Sequence, residues 1–137
     1  MANEIRQVEY FYTMVPDKPG EGARVLGGLR DAGVNLLVFS GFPEGRKGQL
    51  DFVPADAAAF VKAAKSQGLS ITRKKSGFHV QGEDQPGAAA EFMERLAAVN
   101  INVVSMQAIC AGAGRYGAII WVKTADVKKA ARALGAV

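Results

Sequence analysis

Hydrophobic and polar positions along the chain alternate between two periods, and the same succession of periods occurs twice. Residues 8–15, Val8-Glu-Tyr-Phe-Tyr-Thr-Met-Val15, are aromatic and β-branched and predict a strand. Pro19-Gly20 follows as a turn, with Asp17 placed to accept hydrogen bonds from the start of a helix. Ala23, Leu26, Leu29 and Gly33 then recur about once per helical turn. Further on, Ala88, Phe92, Leu96 and Val99 make the same stripe more clearly. Gly33 and Asn100 end the two predicted helices in residue types that tolerate a left-handed backbone.

Apolar strands come next, over 34–42 and 101–109. Gly-rich connections at 44–48 and 111–115 lead into third strands over 49–53 and 116–122. Ala/Lys helices follow at 55–67 and 124–134, and Leu69–Lys74 supplies a fourth strand after the first of them. Each half thus reads βαββαβ, an α+β fold of the ferredoxin-like kind with an antiparallel sheet and two helices on one face.

Sliding the chain along itself by 67 residues aligns the halves without a gap. Phe11 meets Phe78, Asp17 meets Asp84, Pro19 meets Pro86, and Gly20 meets Gly87. Leu29 meets Leu96, Asn35 meets Asn102, and Gly68 meets Gly135. A fixed offset over the whole length is the signature of an internal repeat. The expected modules are residues 1–68, with a fourth strand extending to about 75, and residues 69–137. The second copy stops before its fourth strand, and the segment that aligns with Leu69–Lys74 is Ala2–Gln7. That N-terminal segment is expected to complete the second module's sheet, since an open edge invites aggregation.

Composition narrows the function classes. The formal net charge of +4 is unevenly spread: residues 1–68 hold eight Lys/Arg against eight Asp/Glu, and residues 69–137 hold nine against five. The excess lies in Arg73-Lys74-Lys75 and the Lys123–Arg132 segment and reads as solvated basic faces. Nucleic acid is not an expected partner. One cysteine, Cys110, excludes an intrachain disulfide and fits a reducing compartment. No apolar run approaches membrane-span length, and the N-terminus lacks a signal-peptide pattern, so the expected location is cytoplasmic.

The sequence Asp17-Lys-Pro-Gly20, then a helix ending at Gly33, then Val34-Asn35-Leu36, resembles the ACT-domain family. Asp84-Gln85-Pro86-Gly87 and Ile101-Asn102-Val103 repeat the pattern, so the resemblance spans nearly the whole chain. It implies a stand-alone tandem ACT protein: a regulatory, allosteric module, not an enzyme, that binds an amino acid or related metabolite where modules meet. The resemblance also implies a homodimer and a partner enzyme of amino-acid metabolism, with no cofactor and no metal. The residues it points to are Asp17, Pro19, Gly20, Glu21, Asn35 and Leu36 in the first copy. In the second copy they are Asp84, Gln85, Pro86, Gly87, Ala88, Asn102 and Val103.

The chemistry of these positions suits such a ligand. A glycine at the strand-to-helix turn permits close approach to the backbone, and a helix start presents free N–H groups to a carboxylate. Asp17 and Asp84 have two roles open, helix cap or acceptor for a ligand ammonium. The asparagines are expected beside the same loops, where an amide both donates and accepts. Glu21 departs from the pattern, because a carboxylate there repels a ligand carboxylate, whereas Ala88 does not. Ser40-Gly41-Phe42-Pro43 shares only its proline with the motif of aromatic-amino-acid-sensing ACT domains, so phenylalanine specificity does not carry over.

Two alternatives keep the same topology. An RNA- or nucleotide-binding module would use Phe11 and Phe78 as stacking platforms. A phosphatase of the acylphosphatase kind would need an arginine in the 17–22 loop, which has none. His79 is read as structural or surface, Cys110 as packed at a strand end, and Phe52 and Trp121 as core.

Overall fold

The computed structural model describes residues 3–137, with the backbone alone at residues 73–75. In chain order the elements are β1 (Glu4–Pro16), α1 (Glu21–Asp31), β2 (Leu36–Glu44), β3 (Lys47–Pro54), α2 (Ala57–Ser66) and β4 (Thr72–Glu83). The second half continues with α3 (Ala88–Ala98), β5 (Val103–Gly112), β6 (Arg115–Val122) and α4 (Val127–Leu134). A 3₁₀ turn over Thr124–Asp126 precedes α4. The chain is α+β, as its periodicities imply. Two pairs of expected strands are each a single strand: the N-terminal segment runs straight into β1, and Leu69–Lys74 runs into β4. Ala2, the first residue of the expected N-terminal strand, lies outside the described residues. Nothing between Gln7 and Val8, or between Lys75 and Gly77, forces a turn, so extended backbone simply continues.

Contacts divide the chain into a continuous unit, Glu9–Lys75, and a discontinuous one, residues up to Val8 with Ser76–Val137. In the continuous unit β3 lies between β2 and β1, antiparallel to both, with Phe52 opposite Phe11 on one side and Phe39 on the other. Alternate strand residues Phe11, Val15, Leu50 and Phe52 face Val25 and Leu29 of α1 and Phe60 and Ala63 of α2. Both helices therefore cover one face. Phe60 closes this core, its ring 5.1 Å from Phe11 and 5.0 Å from Phe52. The buried pair on α1 is Val25 and Leu29, four residues apart; Ala23, expected on the stripe, is exposed.

In the discontinuous unit β6 lies between β4 and β5, antiparallel to both, with Phe78 opposite Ile120 and Ile120 opposite Met106. Phe78, Val80, Ala118 and Ile120 meet Phe92 and Leu96 of α3 and Ala130 and Leu134 of α4. Ile5, from the N-terminal part of β1, is buried in the same core. The N–H of Gln7 donates to the Val137 carbonyl at 3.0 Å, and the Val137 N–H donates to the Ile5 carbonyl at 3.1 Å. Trp121, expected in the core, stays half-exposed across from Gly77, whose missing side chain leaves room for the indole.

Helix ends obey one rule. Val34 N–H donates to Leu29 carbonyl and Ile101 N–H to Leu96 carbonyl, closing α1 and α3 through left-handed residues Gly33 and Asn100.

Candidate functional site

The turn after β4 leads into α3 through Gly87, the residue before the first helical turn, at φ 75° and ψ 12°. The turn after β1 leads into α1 through Gly20, at φ 92° and ψ −14°. Both lie in the left-handed region, where a Cβ costs roughly 1–2 kcal/mol, and the space where that Cβ would stand is open in both. No side chain caps either helix. The expected capping role of Asp17 and Asp84 is therefore not realised: the cap position falls three residues later, on a glycine. The Ala88 N–H donates to the Gln85 carbonyl at 3.1 Å and the Ala90 N–H to the Gly87 carbonyl at 3.0 Å, and the positive end of the helix lies behind the turn.

Beside α3 this turn opens a cavity of about 300 Å³. Asp84, Gln85, Gly87 and Ala88 form one wall, and Ala108, Ile109 and Cys110 of β5 with Tyr116 of β6 form the other. The lining is mainly apolar, with one carboxylate and one amide at the rim, a composition suited to a small ligand. Cys110 is exposed, in place of the expected packing at a strand end. The nearby Asp84 carboxylate pushes the Cys110 thiol pKa up. Tyr116 holds the opposite corner, its hydroxyl donating to Asn3 Oδ1 at 2.8 Å. Burial, with Glu91 adding to it, raises that phenol's pKa.

The corresponding cavity beside α1 is about 280 Å³ and is lined by Asp17, Lys18, Glu21, Gly41, Phe42 and Pro43 among others. Here Glu21 sits on the first helical turn with its side chain only 15% exposed, its Oε1 2.8 Å from Arg24 Nη2. A carboxylate of the chain itself thus occupies the helix start that is free at Ala88. The two turns share geometry and differ in charge.

The asparagines do not join these cavities within either unit. Leu36 pairs with Pro54 while Pro43 pairs with Gly48, and Gly48 lies opposite Val15 beside the turn. Asn35 and Leu36 are therefore at the other end of β2, roughly 23 Å of strand away. Val103 likewise pairs with Val122 whereas Cys110 pairs with Tyr116, which puts Asn102 and Val103 at the far end of β5. The reason is topological: a helix returning along a sheet delivers the next strand to the opposite edge. Asn102 lines a different cavity, with Asn100, Lys123 and Asp126. Pro19 and Pro86 shape the turns without lining either cavity. The sequence reading left out of the site the outgoing end of the second strand in each half: Gly41–Pro43, which it compared with a family motif and set aside, and Ala108–Cys110, which it did not consider as lining. The signal was available, since an antiparallel hairpin must bring that end back beside the turn.

Other groups have plainer roles. Phe11 and Phe78 are 2% and 0% exposed on the helix-covered face, so neither offers a ring for base stacking. His79 is buried, and burial with the nearby Arg6 lowers its pKa while Glu4 opposes. No cluster of three or more His, Cys, Asp or Glu side chains suited to a metal ion occurs among the described residues. No helix among them is long and apolar enough to cross a membrane.

No protein-family model matches the chain, and no curated protein matches it in sequence. Solved structures do match its fold. A Bacteroides thetaiotaomicron protein superposes with a TM-score of 0.78 at 17% identity, covering 97% of this chain and 88% of that one. The ligand-free regulatory subunit of aspartate kinase from Thermus thermophilus gives 0.66 at 18% identity, covering 98% and 95%. A structure of aspartokinase α and β subunits gives 0.63 at 21% identity, covering 98% and 95%. At these identities the likeness is one of fold, and the fold is ACT-like.

Proposed function

We propose that this chain is a non-catalytic regulatory protein that binds an amino acid, or a related small metabolite, in the cavity at the start of α3. The observation that carries the reading is the uncapped first turn of α3 over an apolar cavity with the Asp84 carboxylate at its rim. A ligand carboxylate would sit at the start of α3 beside Gly87 and Ala88, where the positive end of the helix favours it. Its ammonium would face Asp84, and an aliphatic side chain would lie along Ala108 and Ile109. The cavity beside α1 is closed to such a ligand by Glu21.

The chain is read as two ACT-like modules at the 67-residue offset, 1–68 and 69–137. The matched left-handed turns at Gly20 and Gly87 and the matched helix ends at Gly33 and Asn100 support that reading. The cavity opens along β5, an outer strand on which Ile109 is 76% and Val104 55% exposed and which has no charged residue. An uncharged, apolar outer strand is a pairing edge. A second copy docked on it would cover the cavity, so ligand and assembly would be linked. A fold shared with aspartate kinase regulatory subunits supports a regulatory role toward an enzyme of amino-acid metabolism.

Calorimetric titration with the standard L-amino acids tests the site. One or a few should bind the wild type, and Ala88→Glu should abolish that binding. Silence across the panel, or binding unchanged in Ala88→Glu, overturns the reading.

A further inference from the structure

The sheet of the continuous unit, Glu9–Lys75, has its helices on one face, and its other face carries a charge that the fold does not call for. Strand residues alternate between faces, so the neighbours of Phe11, Val15, Leu50 and Phe52 point away from α1 and α2. Strand register arranges them in rows across the sheet. Met14 and Phe42 each lie opposite Gln49, and Tyr12 and Ser40 each lie opposite Asp51. Residues opposed in this way stand about 5 Å apart at Cβ. Met14 and Phe42 are exposed, and Asp51 is the one charged side chain of the six.

Asp51 is only 9% exposed, in β3 between β2 and β1, and aspartate is among the residues that strands disfavour. Its Oδ1 accepts from Gln49 Nε2 at 2.8 Å. A carboxylate has two oxygens and room for about four hydrogen bonds. Burial first and the Asp51 charge second push the phenol pKa of Tyr10 upward, which sets that ring beside the carboxylate. Among the described residues no lysine or arginine forms an ion pair with Asp51. The other unit shows what the fold itself needs at this place. Ile119 precedes Ile120 as Asp51 precedes Phe52, and it lies between His79 and Gln107 at 3% exposure. An isoleucine fills the equivalent position, so the carboxylate at 51 is not a requirement of the architecture.

We propose that this face is a docking surface for a partner protein, and that the partner presents an arginine to Asp51 from an apolar surround. A buried carboxylate short of a cation is matched best by a guanidinium, which bonds both oxygens at once and stacks on tyrosine rings such as those at 10 and 12. Met14 and Phe42 supply the apolar contact on either side of Gln49. A flat sheet face offers a small molecule no enclosing walls, so a protein is the occupant that fits. A second copy placing the same face against its own would bring one Asp51 toward another, with no cation among the six residues to separate them. The face shares no residue with the cavity at α3, so docking does not depend on that cavity.

The experiment places a photo-reactive benzophenone side chain at Met14 and, in a separate protein, at Phe42, and irradiates each in a lysate of the source cells. Mass spectrometry then maps the cross-linked segment. Both positions should capture the same protein, through a segment that contains an arginine. Binding of that protein should weaken by about tenfold or more in Asp51→Asn and in Asp51→Ile, since each removes a charge-assisted contact. The melting temperature of free Asp51→Ile should stay level or rise, because the free chain loses an unpaired buried charge. No cross-linked partner, cross-links to this chain alone, a captured segment without arginine, or binding unchanged in both variants overturns the proposal. A lower melting temperature in Asp51→Ile also overturns it, by giving the carboxylate a structural role.

Discussion

Tyr116 and Asn3, 113 positions apart in sequence, are joined by a 2.8 Å hydrogen bond from the phenol to the amide oxygen. Gly82 makes the pairing possible, because a Cβ there would collide with both Asn3 and Tyr116. Tyr116→Phe should cost about 1 kcal/mol, and Gly82→Ala about 1–3 kcal/mol through overpacking. Removing residues 1–6 takes away buried Ile5 as well, a loss of roughly 2–5 kcal/mol for that side chain alone. Chemical denaturation of the three variants checks the ranking. Unchanged melting and solubility after the deletion would remove the N-terminal segment from the second module.

Glu21 and Ala88 occupy equivalent first-turn positions and set opposite charges there. Exchanging them should exchange the behaviour of the two cavities. Glu21→Ala should create an added binding event for the ligand found at α3, and Arg24 would then be free to meet its carboxylate. The stoichiometry of calorimetric titration reads this directly. No gain of a site in Glu21→Ala would mean that Glu21 is not what closes the first cavity.

The depressed pKa of His79 gives stability a defined pH dependence. Burial comes first among its causes, Arg6 second, and Glu4 opposes them. The folded chain therefore keeps the imidazole neutral at pH values where the unfolded chain has already taken up a proton. Stability is full above the unfolded value of about 6.5 and is lost as pH falls from there through the lower folded value. Melting temperature measured from about pH 8 to about pH 5 should decline in the wild type and decline less in His79→Gln. Equal slopes would exclude His79 as the source.

Ala113 sits at φ 55° in the two-residue turn between β5 and β6, followed by Gly114 at φ 70°. Positive φ at both central residues is the hairpin turn that favours Asn-Gly or Gly-Gly. Ala113→Gly should raise the unfolding free energy by roughly 0.5–1 kcal/mol, the relief of a left-handed alanine less the added backbone entropy. A lower melting temperature in this variant would contradict the turn assignment.

The sequence made the elements readable because their cause is local. Phe92 and Leu96, or Phe78 and Val80, carry a period that states which side faces a core. Gly33 and Asn100 state where a helix must stop. The candidate site was half legible for the same reason. Asp84, Gly87 and Ala88 are neighbours along the chain, and their turn was visible as a turn. The opposing wall, Ala108 to Cys110 with Tyr116, comes from strand register, which no local pattern specifies. Asn35 and Asn102 were misplaced by one strand length because adjacency to the helix in sequence says nothing about which end of the sheet the chain re-enters. Cys110 was taken as packed on its residue type, and its position on an outer strand decided otherwise.

The bonds of Val137 with Ile5 and Gln7 also set an order of events. On a ribosome, the continuous unit Glu9–Lys75 has all its strands once residue 75 has emerged, and it can fold while synthesis goes on. The discontinuous unit cannot close until residue 137 is made, because its first and last pieces are separated by the entire length of the other unit. Residues 4–8 must wait, extended and partly apolar, until that partner segment is made. Until then the strand is open to mispairing with other extended segments.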